Sequence, residues 1–455
     1  MSVSVRIFPT SLNLLSRGTV AASSSGDTLY PSSNLYDSVP SSPFKSVAST
    51  GQTVSITVDI SVLENGNFET WTSSSDLSSW TRKNGGLGST SSMLVVRSTD
   101  VASTGSSFAA NTRNAASASY STRIYQDQSF SPGESVVLET YLHSDGLGSS
   151  GVSTIGDTRK AGVLIQNLQT GNCLTSSGGW APNTWDPNSS GTTVSYSVSS
   201  SSTTYELKTI TFTVESVSID YGAPVTLRTF MCTAPSSGSN VRDAWFDSSA
   251  LWPTLDFISV HGHKNLTSAA ITSSTDGSTY STGASFGSLT LRQPAFYGIL
   301  AAADDNRYQK ITITGNHVGP VEVGEIVMGK LTALTRPPDN PVLTAHELKY
   351  IRDQVRSETL GGSVYAYNMS SQPRRALRLP FTFTDSTEFE DHRQKVRTAS
   401  NDGSTPIVVI PSTEETTVIM GHIDSSWDVR RVFENPLGNE ADLFIVEDGF
   451  PITVS

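Results

Sequence analysis

The chain predicts a mainly β protein in which one β-sandwich is nested inside another and a small α+β C-terminal domain follows. Three observations lead there. Residues 52–61 (QTVSITVDIS) alternate, with Val54, Ile56, Val58 and Ile60 on one face and Ser55, Thr57 and Asp59 on the other, the period of a half-buried antiparallel strand. The next stretch, 63–71 (LENGNFETW), reads as the start of a new module. A partner for the first strand is expected only at 255–266 (LDFISVHGHKNL), followed by the hairpin-like 271–280. Finally, charged residues are 16% of the chain, against roughly 25% in average globular proteins. Ser, Thr and Gly take their place, as many short polar turns require.

At 455 residues the chain is too long for one core, and about three domains are expected. The hydrophobic fraction of 36% is spread in short alternating runs, the composition of a folded all-β chain. A net charge of -12 argues against nucleic acid, whose phosphates call for a concentrated basic face. Cys173 and Cys232 both fall in the expected insert, and two thiols make no disulfide framework, so a reduced, intracellularly assembled product is expected. The opening MSVSVRIFPT lacks the apolar region of a signal peptide. The longest apolar run, 295–303, is broken by Gly298 and falls short of the roughly 20 residues that span a bilayer. No membrane insertion is expected.

Taken in order, residues 1–61 carry the first strand after a turn-rich middle, 19–46. Residues 254–331 supply alternating stretches at 256–260, 269–273, 288–292, 309–314 and 321–328, the last with a bulge expected at Gly324. Together these segments form the host domain, and 62–253 is the insert. Inside it, 134–143 and 205–215 have strand periodicity, with Ile210, Phe212 and Val214 on one face. The Ser/Thr tracts at 189–204 and 89–92 read as loops and strand edges. Arg336-Pro337-Pro338-Asp339 signals a linker into the third domain, 332–455. There a strand is expected at 376–384 and a helix at 385–400, then strands at 407–410, 417–420, 427–433 and 442–446. Asp385 is the expected N-cap with Glu388 three residues on. Phe389, His392 and Val396 fall at helical spacing, and Gly403 sits where a stop belongs.

Several motifs carry a resemblance. YPSSNLYD, SPFKS, VSITVDIS, ISVHGHKNLTSA, SSTDGSTY, RYQKITITG and VEVGEIVMG occur in the order of a discoidin-type, galactose-binding-like jelly roll. The strand Arg307-Tyr308-Gln309-Lys310 lacks the tryptophan usual in that pattern. The insert opens with Asn65-Gly66-Asn67-Phe68-Glu69 and closes with VRDAWFDSSALW, which resembles carbohydrate-binding jelly rolls. That resemblance implies a structural Ca²⁺ held by Glu69 and by Asp247, with Asp243 as the alternative, since calcium needs several oxygen ligands. Two surface carboxylates on adjoining strands would look the same in sequence. In the tail an Arg-rich strand, a helix, the Pro-flanked PIVVIP and a closing FIVEDG follow in order, which resembles small domains of tailed-phage structural proteins.

No Gly-x-Ser-x-Gly, His-Glu-x-x-His, P-loop or Cys-x-x-Cys occurs, and no pair of carboxylates is marked for glycoside cleavage. His261 and His263 would share one face of a strand, but a metal site needs further ligands. The discoidin resemblance instead implies that His263 bonds an adjoining loop. Sugars stack on flat exposed rings while neighbouring polar groups take their hydroxyls. Trp180 and Trp185, in the Gly/Pro/Asn-rich GGWAPNTWDP, are the glycan-binding candidates, and Trp71 and Trp80 are expected in the core. The sequons at Asn188, Asn265 and Asn368 are read as chance.

The expectation is a non-enzymatic structural protein of a tailed-phage virion, tail or baseplate associated, with host-surface glycan recognition by its jelly rolls. Its expected partners are other virion proteins and further copies of itself in a symmetric assembly, and its location is the virion, assembled in the host cytoplasm. A capsid decoration protein and a polysaccharide-degrading enzyme or its accessory module are the alternatives.

Overall fold

The computed structural model describes residues 5–23, 26–27, 29–38, 43–46, 52–84, 93–99, 107–114, 122–145, 161–175, 178–182, 205–216, 224–233, 242–281, 286–292, 294–316, 318–334, 347–351, 354–358, 364–368, 374–383, 385–411, 417–423, 430–431 and 439–447. Antiparallel sheets dominate. Two compact units emerge: one from Met1–Ile60, Ile219–Ala223 and Thr254–Ser455, the other from Ser61–Ser218 and Pro224–Pro253.

In the first unit the strand Thr53–Asp59 alternates as its sequence requires, with Val54, Ile56 and Val58 buried. Its partners differ from the expected one. It lies between Thr19–Ala22 and Tyr308–Gly315, where Ile56 faces Ile311 and Val54 faces Ile313. Leu266–Ser274 and Gly287–Leu289 complete that five-stranded sheet. Leu255–His261 goes to a different sheet, between Ala295–Asp304 and Glu325–Gly329. The reason is its composition. Phe257, Ile258 and Val260 are all buried, so this strand needs cover on both faces. Gly324 interrupts 321–328 as expected, separating Glu322–Val323 from Glu325–Gly329.

The segment 332–455 does not stand as a separate domain. The N-terminal strand Arg6–Pro9 sits between Thr332–Ala333 and Ile407–Ile410, inside an eight-stranded sheet that continues through Ile419–Ile423, Asn439–Glu447, Arg374–Phe383 and Glu347–Ile351. Four residues of strand gave no sign in the sequence of which partner they would choose. Alternation decides the packing. Val5 and Ile7 join Leu377, Phe381, Phe383, Val409 and Leu443 on one face. Phe8 joins Phe257, Val327, Val408 and Met420 on the other. The first face is covered by the helix Ser386–Ala399 and the second by the three-stranded sheet, so this part of the unit has three layers. Gly329 permits the close approach of Phe8: a Cβ there would fall 2.2 Å from its ring.

The helix starts where the sequence indicated. Asp385 accepts from Thr387 N at 2.8 Å, a cap worth about 1 kcal/mol. Beyond Ala399 a tight turn ends at Gly403, whose φ is +86°.

The second unit is a β-sandwich. One sheet runs Met93–Ser98, Ala109–Asn114, Arg242–Pro253, Ser135–Asp145, Glu206–Thr213. The other runs Trp180–Ala181, Cys173–Leu174, Ala161–Asn167, Val225–Thr233, Thr122–Phe130, Thr81–Asn84. Phe212 and Val214 are buried and Ile210 is half-buried, on the face expected. Cys173 and Cys232 are buried thiols not joined in a disulfide. They pair with Gln166 and Gly162 of one strand, too far apart along it for a disulfide.

Candidate functional site

The two ends of the second unit are stitched together by main chain. Val62 N donates to Leu251 O at 2.8 Å, and Ser249 N donates to Gly66 O at 2.7 Å. The Asn65–Glu69 turn that docks there is shaped by left-handed residues, Asn65 at φ +49° and Phe68 at φ +57°. Asn65 tolerates this because its side chain substitutes for missing backbone bonds, giving Nδ2 to Thr70 O at 2.8 Å and to Ser78 O at 3.0 Å. Phe68 is fully buried against Trp80, ring centroids 5.3 Å apart. Trp80 is buried; Trp71 is only half-buried and donates its indole N–H to Phe68 O at 2.6 Å.

Glu69 is half-buried, and its Oε1 accepts from Ser107 N at 2.6 Å and Phe108 N at 3.0 Å. Its carboxylate therefore anchors a second segment of backbone. Asp247 is fully buried and accepts from Ser248 Oγ at 3.2 Å. It sits at a bulge: Tyr141 faces Asp247 while Glu139 already faces Ala250, and Ser248 takes φ +47°. Glu69 and Asp247 thus lie on two segments joined through the Gly66–Ser249 contact. No group of three His, Cys, Asp or Glu gathers to hold a metal among the described residues. Among the described residues, any further oxygens would come from hydroxyls or peptide carbonyls. The side chain of Asp243 lies outside the described residues.

Trp180 is half-buried at the seam of the sandwich. Its indole N–H donates to Thr213 O at 2.8 Å, and its ring meets Phe212 edge-on at 6.1 Å. It links the edge strands of the two sheets, which occupies both its polar atom and one flank. Trp185 and Asn188 lie outside the described residues.

A set of residues absent from the sequence-based candidates forms the more complete surface. Leu142 and Phe246 point into the core, so His143 and Trp245, their neighbours in sequence, take the opposite face of the five-stranded sheet. There Asn111 faces Trp245, Trp245 faces His143, and Tyr205 follows, one residue ahead of the strand Glu206–Thr213. The rings form a row, Tyr205 to His143 at 5.4 Å and His143 to Trp245 at 5.0 Å. Tyr205 and Trp245 are half-exposed; Asn111 and His143 are nearly enclosed. His143 Nδ1 has no hydrogen-bond partner. Tyr141, two residues along, continues the face. The alternation of ETYLHS could have flagged Tyr141 and His143, but nothing local joins them to residue 245 or 205.

The other sheet carries a second polar cluster. Arg228 donates Nε and Nη2 to the two oxygens of Asp127, both at 2.7 Å, with its guanidinium 4.1 Å over the Tyr125 ring. The bidentate pair and the ring beneath it brace two neighbouring strands.

In the first unit, His263 Nε2 bonds Arg292 O at 2.7 Å, tying a strand end to the adjoining loop. His261 is fully enclosed beside Ser259 Oγ at 2.8 Å, and burial, helped by Arg375 and His263, pushes it down to about 3. Glu325, its strand neighbour, is fully buried with Oε2 unpaired. Burial and the nearby Asp37 push it up to about 9, so it is neutral at pH 7.

No protein-family model and no curated protein sequence matches the chain. Among solved structures, the enzymatically active domain of bacteriophage CBA120 tailspike protein 4 is similar at 14% identity and a TM-score of 0.28, over 42% of this chain and 21% of that one. A CBM4 structure is similar at 14% identity and a TM-score of 0.21, over 38% of this chain and 94% of that one. TmCBM61, solved with β-1,4-galactotriose, is similar at 12% identity and a TM-score of 0.23, over 42% and 98%.

Proposed function

We propose that the second unit binds a host-surface glycan on the Tyr205–His143–Trp245 face, and that the chain is a structural protein of a tailed-phage virion, tail or baseplate associated. The ring row carries the glycan reading. The half-exposed rings of Tyr205 and Trp245, with His143 between them, offer an apolar strip on which the C–H face of a sugar can stack. The virion reading rests on the nested arrangement and on the phage resemblance of the tail sequence. It carries with it other virion proteins and further copies of the chain as partners. Repetition in a ring would raise weak glycan contacts by avidity. Binding without cleavage is part of the proposal.

A calcium ion held by Glu69 and Asp247 belongs to the same reading. What supports it is that both carboxylates lie on the two segments stitched together through Gly66 and Ser249, where a cation would hold the first turn to the last strand. Melting of the protein and of Glu69→Gln, each with calcium and with chelator, tests it. Calcium should raise the melting temperature of the first alone, and identical curves for both remove the site.

Affinity electrophoresis through gels containing soluble bacterial surface polysaccharides tests the main claim. Trp245→Ala and Tyr205→Ala should abolish retardation with little loss of stability. Trp180→Ala should lower stability and keep binding, because that ring seals the sandwich edge. The reverse pattern would move the glycan to the Trp180/Trp185 loop. New reducing ends released from the polysaccharide would overturn the non-enzymatic part. Immunogold labelling of intact particles places the protein on tail or head.

A further inference from the structure

The helix Ser386–Ala399 lays Phe389, His392, Val396 and Ala399 against the eight-stranded sheet. His392 is the polar member of that stripe and is fully buried. Its ring lies 4.4 Å from Phe381 and 5.0 Å from Phe383, and neither ring nitrogen has a hydrogen-bond partner. A neutral imidazole is tolerated there as a flat, mostly apolar plate. An imidazolium would bring two charged N–H donors into the same slot with no acceptor for either.

The groups around it do not compensate such a charge. On the helix, Asp391 and Lys395 are the charged side chains that reach it, and they are bonded to each other at 2.7 Å; Glu388 lies one turn earlier. In the last turn of the helix Arg397 pairs with Asp402, beyond its end, at 2.6 Å. The strand beneath presents Phe381 and Phe383. The N-terminal strand presents Val5 and Ile7, and the strands beyond it present Ile407, Val409, Ile419, Leu443 and Ile445. At the end of that sheet Arg375 and Glu447 hold one another.

We propose that this helix is an acid-sensitive clamp: protonation of His392 releases it from the Phe381/Phe383 face and uncovers the sheet. Burial, the leading cause, pushes His392 down to about 4 from an ordinary 6.5. A group depressed in this way stabilises docking above pH 6.5, and the contribution is lost as pH falls toward about 4.

Hydrogen exchange by mass spectrometry on the full chain, corrected for the intrinsic pH dependence, tests this. The open fraction of 386–399 should rise about tenfold per pH unit on acidification from 6.5, ahead of the strand Arg374–Phe383 beneath it. In His392→Leu the same window should be flat. Should the leucine variant not fold, His392→Gln keeps a polar, non-titrating group and should also be flat. An acid rise that persists in these variants, or helix and strand opening together in the native chain, overturns the proposal.

Discussion

Gly66 and Ser249 meet main chain to main chain: Ser249 N donates to Gly66 O at 2.7 Å, and a Cβ on Gly66 would fall 2.0 Å from Ser249 O. The first turn and the last strand of the second unit therefore close on each other only because residue 66 has no side chain. Gly66→Ala should destabilise that unit by about 1–3 kcal/mol through overpacking. A chemical denaturation curve showing an unchanged midpoint would mean the turn has room to shift.

Arg375 and Glu447 form a buried pair. Arg375 Nε donates to both Glu447 oxygens at 3.0 and 2.9 Å, Arg375 N donates to Oε2 at 3.1 Å, and Arg375 Nη2 donates to Val418 O at 3.0 Å. Removing one partner strands the other charge, so Glu447→Leu alone should cost about 3–5 kcal/mol. Replacing both with Met and Leu should recover most of it. A double-mutant cycle reads this directly, and additive losses would show that the two side chains act independently.

Glu325 gives the first unit a signature on the alkaline side. Its carboxyl is held neutral in the fold up to about pH 9, against 4.5 ordinarily. The folded chain then carries one more proton than the unfolded chain between those limits. Stability should fall as pH rises through that window, by up to about 1.4 kcal/mol per unit from this group. In Glu325→Gln the slope should disappear.

The N-terminal strand should be indispensable to residues far away in sequence. Deleting residues 1–9 removes Ile7 and Phe8 from the two cores flanking the eight-stranded sheet. Amide protection in 407–423 and 439–447 should collapse, while 122–145 and 225–233 of the other unit stay protected. A deletion that leaves the C-terminal strands protected would return 332–455 to the status of a free-standing domain.

Much of the local structure was legible in the sequence because its signals are local. Alternation marks 52–61, 205–215 and 309–314 whatever they pair with, and the unbroken apolar run between two prolines marks 407–410. The cap at Asp385 and the 389/392/396 spacing mark a helix before any tertiary contact forms. The Asn65–Glu69 motif marks a turn, and that turn is the one that docks on Ser249. Strand partnership was different, because it is set by which buried faces share a core. Thr53–Asp59 chose Tyr308–Gly315 over Leu255–His261 since the latter must be covered on both sides, and Arg6–Pro9 found its neighbours far along the chain, at Thr332–Ala333 and Ile407–Ile410. The ring row has the same origin. Tyr205, His143 and Trp245 are separated along the chain by long stretches, and only sheet register sets them 5 Å apart. Sequence fixes which side chains alternate; the packing of faces decides which of them meet.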